Sequence, residues 1–196
     1  PIYGFYADAS SFIIRDVALY HGNLYVAGNF TNTPSGLTHI AEYKSGVWQI
    51  VGTGIQGGWT SINKMVVYND ELYVAGMILK SEGNTGHMIQ KWNDTVWSEV
   101  GNSVRDLTGG FGFCQIFDMK VYSGKMYIAG GFGYAGNIPA AEVARWNGTQ
   151  WCGYGTTSLF TAGPGAGGCT AVELYNDTLY LGLANDPLYK VHTNRC

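Results

Sequence analysis

The stretch Leu24–Gly28 reads LYVAG, and the same five letters return at Leu72–Gly76. Met126–Gly130 reads MYIAG and Leu179–Leu183 reads LYLGL, so the motif returns after 48, 54 and 53 residues. A period in this range is the mark of a solenoid, a propeller or an array of repeats. Each copy follows a run that ends in tyrosine: DVALY, KMVVY, DMKVY and AVELY, closing at Tyr20, Tyr68, Tyr122 and Tyr175. The residues between are HGN, NDE, SGK and NDT. Two β-rich runs joined by a short polar or glycine turn form a hairpin. After a longer loop comes a third run, HIAEY, MIQKW or EVARW, then a tight turn and a fourth run opening at Trp48, Trp97 or Trp151. The aromatic pairs Tyr43/Trp48, Trp92/Trp97 and Trp146/Trp151 each stand five residues apart.

Four short antiparallel strands per unit, with a glycine and an aromatic motif in each, is the pattern of an all-β, four-bladed β-propeller. A β-helix has shorter repeats, and leucine-rich or helical solenoids need patterns missing here. The blades span about 12–52, 60–101, 114–155 and 169–196, and the chain reads as one domain, 1–196. The last unit, PLYKVHTNRC at Pro187–Cys196, stops at its third strand. The first residues, PIYG, continue it in phase: Ile2 takes the place of Ile50, and Gly4 that of Gly52, Gly101 and Gly155. The expectation is a closed ring in which residues 1–5 supply the outer strand of the last blade and leave no unpaired edge at the seam.

Composition limits the function. Charged residues are 13%, against roughly 25% in an average soluble domain, while 29 glycines and 14% aromatics suit short strands and tight turns. The net charge of −3 and the lack of a Lys/Arg cluster argue against binding nucleic acid through its phosphates. No apolar run is long enough for a membrane span. A start at Pro1 favours processing or excision from something longer. The four cysteines contain no C-x-x-C pair, so the spacing suits two disulfides rather than zinc. Successive strand residues face opposite ways, and on that ground Cys152–Cys196 and Cys114–Cys169 are expected, both joining the third and fourth blades. With sequons at Asn29, Asn93, Asn147 and Asn176, the chain reads as secreted or cell-surface.

The Gly130-Gly131 pair after a strand, the repeated Tyr or Trp, and the later Trp of RWNGTQW resemble kelch-like propeller repeats, such as those of secreted bacterial surface proteins. Blade count alone is similar to the hemopexin-like architecture. The resemblance implies the propeller fold and little about activity, because one fold hosts many functions.

In such a fold the longer loops gather on one rim and the tight turns on the other. Long-loop residues Trp59, Tyr6, Asp8, Arg105, Tyr134, Asn137, Asn84 and His87 are the candidate ligand contacts. Rings pack on the C–H face of a sugar, and amides or carboxylates bind its hydroxyls. Phe111, Phe113 and Phe132 either join that rim or cap the barrel. Asp16 and Asp118, at matching positions of alternate units, are placed either to hold a structural cation in the central channel or to be neutralised by Lys64 and Lys120. The second reading is preferred, since buried charges are paired. No catalytic residues are assigned, because no nucleophile-elbow, zinc-protease or phosphate-loop motif is present. The expected function is an extracellular module that recognises a glycan or a glycosylated surface, without an organic cofactor. The rivals are a structural or adhesive protein–protein unit of a larger extracellular assembly and a propeller-type glycan-active enzyme.

Overall fold

The computed structural model describes residues 13–32, 37–111, 114–154, 168–184 and 189–192. These residues form an all-β protein whose one helix, among those described, is a single 3-10 turn at Lys80–Glu82. The first unit is the sheet of β1 (Ile13–Tyr20), β2 (Asn23–Asn32), β3 (Leu37–Lys44) and β4 (Val47–Ile50), in that order and antiparallel throughout. The second repeats it with β5 (Ser61–Tyr68), β6 (Glu71–Met77), β7 (Ile89–Trp92) and β8 (Trp97–Glu99). After β9 (Val104–Arg105), the third unit begins with β10 (Gln115–Tyr122) and β11 (Lys125–Gly131). A small hairpin, β12 (Tyr134–Ala135) and β13 (Ile138–Pro139), interrupts it before β14 (Val143–Trp146) and β15 (Trp151–Gly153) complete the order β10-β11-β14-β15. The fourth has β16 (Cys169–Tyr175), β17 (Thr178–Leu183) and β18 (Tyr189–His192). The strand expected from residues 1–5 lies outside the described residues.

Local chemistry sets these sheets. The loops joining the first two strands of each unit are two residues long, and both residues have positive φ: His21 and Gly22, Asn69 and Asp70, Ser123 and Gly124, Asn176 and Asp177. That conformation matches the twist of a hairpin and favours Asn, Asp and Gly. In the outer turns of units two and three, Asn93 and Asn147 accept backbone N–H groups two and three residues ahead through Oδ1, at 2.8–3.1 Å. With Asn176 in a hairpin turn, three of the four sequons are therefore also turn signatures.

Each first strand carries a bulge at one fixed place, between Ile14 and Asp16, Ile62 and Lys64, Ile116 and Asp118, and Cys169 and Ala171. The extra residue is left unpaired and the strand twists more strongly. The bulge also explains the glycine of LYVAG: a Cβ on Gly28, Gly76 or Gly130 would lie 1.9–2.1 Å from a carbonyl oxygen of the first strand. The four bulge residues, Arg15, Asn63, Phe117 and Thr170, line one cavity of about 400 Å³ with Ile13 and Ile14. The first strand of each unit thus contributes to the lining of the same cavity.

Neighbouring units meet through three apolar layers. Tyr20, Tyr25, Met65, Val74 and Trp92 join units one and two; Tyr68, Tyr73, Met119, Ile128, Trp146 and Trp151 join two and three; Tyr127, Tyr154, Val172 and Leu181 join three and four. Tyr20 and Tyr68 pack unit against unit together with the tryptophan pairs, whereas Tyr175 is exposed. Trp92/Trp97 and Trp146/Trp151 have ring centroids 5.2 and 4.9 Å apart. The glycine ending one unit lies against the pair of the next: a Cβ on Gly52 would come within 2.7 Å of Trp92, and one on Gly101 within 2.5 Å of Trp146 and Trp151. Polar staples cross the same junctions. Met65 N donates to Asp16 Oδ2 (2.8 Å), Asn63 Nδ2 to Ile116 O (2.7 Å) and Val172 N to Asp118 Oδ2 (2.9 Å).

One expectation needs correction. Cys114 and Cys169 are free, buried thiols. Cys114 packs in the layer between units two and three, Cys169 in that between three and four. Each faces back toward the preceding unit, so the two groups point the same way round and cannot meet. Burial pushes both thiols up to about 12. The other expected pair, Cys152–Cys196, involves a residue outside the described ones. Strand β16 packs on β10 and β11, and β1 on β5; the closure expected from residues 1–5 lies outside the described residues.

The junction glycines supply a direct test. Gly101→Ala places a methyl in the indole pair of the next unit at a φ of +51°. Overpacking of this kind costs roughly 1–3 kcal/mol, so urea unfolding of the variant should show a loss in that range. A loss below about 0.5 kcal/mol, the scatter of ordinary surface substitutions, would show that the Trp146/Trp151 contact does not control the junction.

Candidate functional site

The long-loop rim is built around units two and three. Strand β9 pairs with β12, and β12 with β13, giving a three-stranded sheet of short strands on the loops. Its register sets Tyr134 opposite Arg105. Three of the candidate residues meet here: the Arg105 guanidinium lies 5.5 Å from the Tyr134 ring centre and donates to Asn137 Oδ1 at 3.2 Å. It also donates to Gly136 O and Gly109 O, at 3.0 and 3.1 Å. Arg105 therefore braces the rim sheet, and its planar fork suits a task with several acceptors.

Other candidates prove to be internal. Asn84 is buried; its Oδ1 accepts Gln56 N (2.9 Å) and its Nδ2 donates to Gln56 O (2.8 Å) and Leu79 O (3.0 Å). It acts as a surrogate peptide joining two loops. The His87 ring is buried against Phe111, with centroids 5.2 Å apart. Both are corrected from ligand contacts to supports. Tyr6 and Asp8 lie outside the described residues, as does Phe113. Phe132 is fully buried and caps the core, whereas Phe111 is exposed.

Trp59 stands out from this pattern, with 71% of its surface exposed. Its loop is pinned on several sides. Asn84 holds Gln56, Thr60 Oγ1 donates to Gln56 O (2.7 Å) and Glu82 Oε2 (3.2 Å), and His39 Nε2 bonds Gly57 O (2.9 Å). Burial lowers the His39 pKa, so the ring is neutral in this contact. An indole on a fixed loop is presented to solvent at little entropic cost to a ligand.

A cluster that residue type alone did not single out lies beside Arg105. Lys80 Nζ pairs with Glu99 Oε1 at 2.8 Å, Ser103 Oγ donates to the same oxygen at 2.5 Å, and the His87 N–H donates to Ser103 Oγ at 2.9 Å. Burial opposes ionisation of Glu99, but the Lys80 and Ser103 hydrogen bonds outweigh it and hold the carboxyl below its ordinary value. Lys80 also sits 5.7 Å from the Phe111 ring centre. The members come from four separate stretches, so no motif announces them.

The carboxylates of Asp16 and Asp118 are engaged by protein. Asp118 accepts Met119 N and Val172 N, both at 2.9 Å. Asp16 accepts Val17 N and Met65 N and meets Lys64 Nζ at 3.8 Å. Lys120 pairs instead with Glu173, at 2.9 Å. Among the described residues no group of three or more His, Cys, Asp or Glu side chains is arranged to hold a metal ion. The reading of Asp16 and Asp118 as a cation site gives way to one in which they tie unit to unit.

No protein-family model matches the chain, and no curated protein matches it. No described helix is long and apolar enough to cross a membrane.

The tight-turn side carries a titratable cluster at the first hairpin turn. His21, in the first hairpin turn, bonds Asp70 Oδ1 through Nε2 at 2.9 Å and Asp94 Oδ2 through Nδ1. The hydrogen bond to Asp70, then that to Asp94, raises the His21 pKa above its ordinary 6.5. A raised folded-state value means that the contribution is complete below the unfolded value and fades as pH rises through the folded one. The melting-temperature difference between the wild type and His21→Ala should therefore be greatest below about pH 6 and shrink above neutrality. A difference that is constant across that range would show that the two carboxylates do not bind the protonated ring.

Proposed function

We propose that this chain is an extracellular binding module on a kelch-like β-propeller and that it recognises a glycan or glycosylated surface through its long-loop rim. The observation that carries this reading is the exposed Trp59 indole on a loop held by Asn84, Thr60 and His39. Exposed Phe111 and half-exposed Tyr134 extend the aromatic surface. Aromatic faces supply large contact area at small conformational cost. The propeller reading is supported by the repeated four-strand sheets and by the cavity that the four bulges share. The second reading, an adhesive unit of a larger assembly, is favoured by exposed apolar side chains on the first and last units, Val17 and Leu19 at 55% and 72% and Tyr175 at 65%.

A glycan array probed with wild type and Trp59→Ala tests the proposal. The wild type should bind a restricted set of sugars. The variant should lose more than tenfold in affinity, about 1.4 kcal/mol, while its stability stays within about 0.5 kcal/mol, as for surface substitutions. Binding retained by Trp59→Ala, or no binding by the wild type, would overturn it.

The secreted reading keeps Cys152–Cys196 as its proposed disulfide, with Cys152 at the outer edge of unit three. Peptide mapping without reduction should recover the two cysteines in one linked fragment, with Cys114 and Cys169 alkylated only after unfolding. Free thiols at Cys152 and Cys196 would remove this support for an oxidising compartment.

A further inference from the structure

The cavity of about 400 Å³ that the four bulges share is lined by Arg15, Asn63, Phe117 and Thr170, with Ile13 and Ile14. Only unit one carries a charge at the bulge position; the other three carry an amide, a ring and a hydroxyl. A bulge is made by an extra residue and needs no charge for its geometry. Arg15 is exposed to the cavity's solvent, and among the described residues its guanidinium has neither an ion pair nor a hydrogen-bond acceptor. That contrasts with Lys44, Lys64, Lys80, Lys91 and Lys120, each of which meets a carboxylate at 2.7–3.8 Å. The carboxylates that follow two of the bulges are committed elsewhere: Asp16 to Val17 N, Met65 N and Lys64, and Asp118 to Met119 N and Val172 N.

The other polar groups of the cavity are acceptors. Asn63 uses its Nδ2 on Ile116 O at 2.7 Å, which leaves Oδ1, and Thr170 gives its hydroxyl hydrogen to Gly182 O at 3.1 Å, which leaves the lone pairs of Oγ1. The walls of Ile13, Ile14 and Phe117 are apolar. A cation calls for an anionic group, acceptors call for hydroxyl donors, and apolar walls call for C–H faces. The volume lies toward the lower end of ligand sites, roughly 300–1,000 Å³, which suits a single small molecule.

We propose that this cavity binds a sugar acid. Its carboxylate lies on the planar fork of Arg15, which suits two parallel hydrogen bonds. Its hydroxyls donate to Asn63 Oδ1 and Thr170 Oγ1, and its C–H face rests on Phe117. Regular pairing on both sides of each bulge fixes the backbone of the contributors before a ligand arrives, so little is lost to ordering them. A free sugar acid and an acidic residue ending a glycan chain offer the same chemistry. The site goes beyond the glycan reading and shares no residue with the Trp59 loop.

Titration calorimetry of the full chain with sodium glucuronate, glucose and sodium acetate tests this. Glucuronate carries both the carboxylate and the hydroxyls; glucose lacks the first and acetate the second. Glucuronate should bind roughly tenfold or more tightly than either, the worth of hydrogen bonds to a charged group. Arg15→Gln should weaken glucuronate by a similar factor and leave the melting temperature unchanged, because no described contact of the fold depends on the guanidinium. A disaccharide ending in glucuronate separates the two sources: binding like that of the free acid assigns the site to chain ends, and exclusion assigns it to the free acid. No binding of glucuronate, or acetate or glucose binding as tightly, would overturn the proposal. So would a glucuronate affinity that Arg15→Gln leaves intact, or a melting temperature that falls in that variant, since Arg15 would then serve the fold.

Discussion

An inner strand at the edge of a sheet has backbone groups with no partner in that sheet. In this fold every unit begins with such a strand: β1, β5, β10 and β16 each bond on one side only. Buried N–H and C=O groups must be satisfied from somewhere, and here neighbouring units supply the partners. Asp16 takes the N–H of Met65, Asn63 reaches Ile116 O, and Asp118 takes the N–H of Val172. The same contacts fix how each sheet sits on the next, and the apolar layers follow. Once the staple sets the approach, the tryptophan pair of one unit lies on the glycine that ends the unit before it, and no larger residue fits there.

The features legible in the sequence were those set by neighbours in the chain. Alternation and turn chemistry mark the strands, and a two-residue loop such as His21-Gly22 or Asn69-Asp70 needs positive φ at both places, which restricts its residues. The layered tyrosines and tryptophans were legible because they recur. The Cys114–Cys169 pair was misread because parity states that two residues face opposite ways but not which way the strand as a whole faces. The bulge puts Cys169 in the place of Ile116, and Cys114 lies two residues before it, so both share one orientation. The sequons carry less about location than their number suggests, since at Asn93 and Asn147 the turn itself uses the asparagine oxygen.

The rim was less legible for a related reason. A long loop brings many carbonyls and N–H groups that strands would otherwise satisfy, and polar side chains are drawn inward to meet them. Asn84 serves Gln56 and Leu79, Arg105 serves Gly136 and Gly109, and Ser103 serves the His87 N–H. From composition alone each resembles a ligand contact. Only the partner, set by chains far apart in sequence, separates a brace from a binder. Trp59 was legible because a bulky ring between glycine and small polar residues has no local backbone to serve.

This division shapes what the rim can recognise. Its charged groups are matched within the protein, as in the Lys80–Glu99 pair at 2.8 Å and the guanidinium of Arg105 among carbonyls. Recruiting such a group to a ligand would first break a contact that holds a loop, and a partly buried acceptor left alone costs about 1–3 kcal/mol. The rings carry no such penalty: Trp59 and Phe111 are already exposed, on loops held by other residues. Recognition at this rim therefore favours surfaces that offer C–H faces and broad contact over those that offer charge. A partner bound in this way would show little dependence on ionic strength, since exposed charge pairs, which salt screens, contribute little to it.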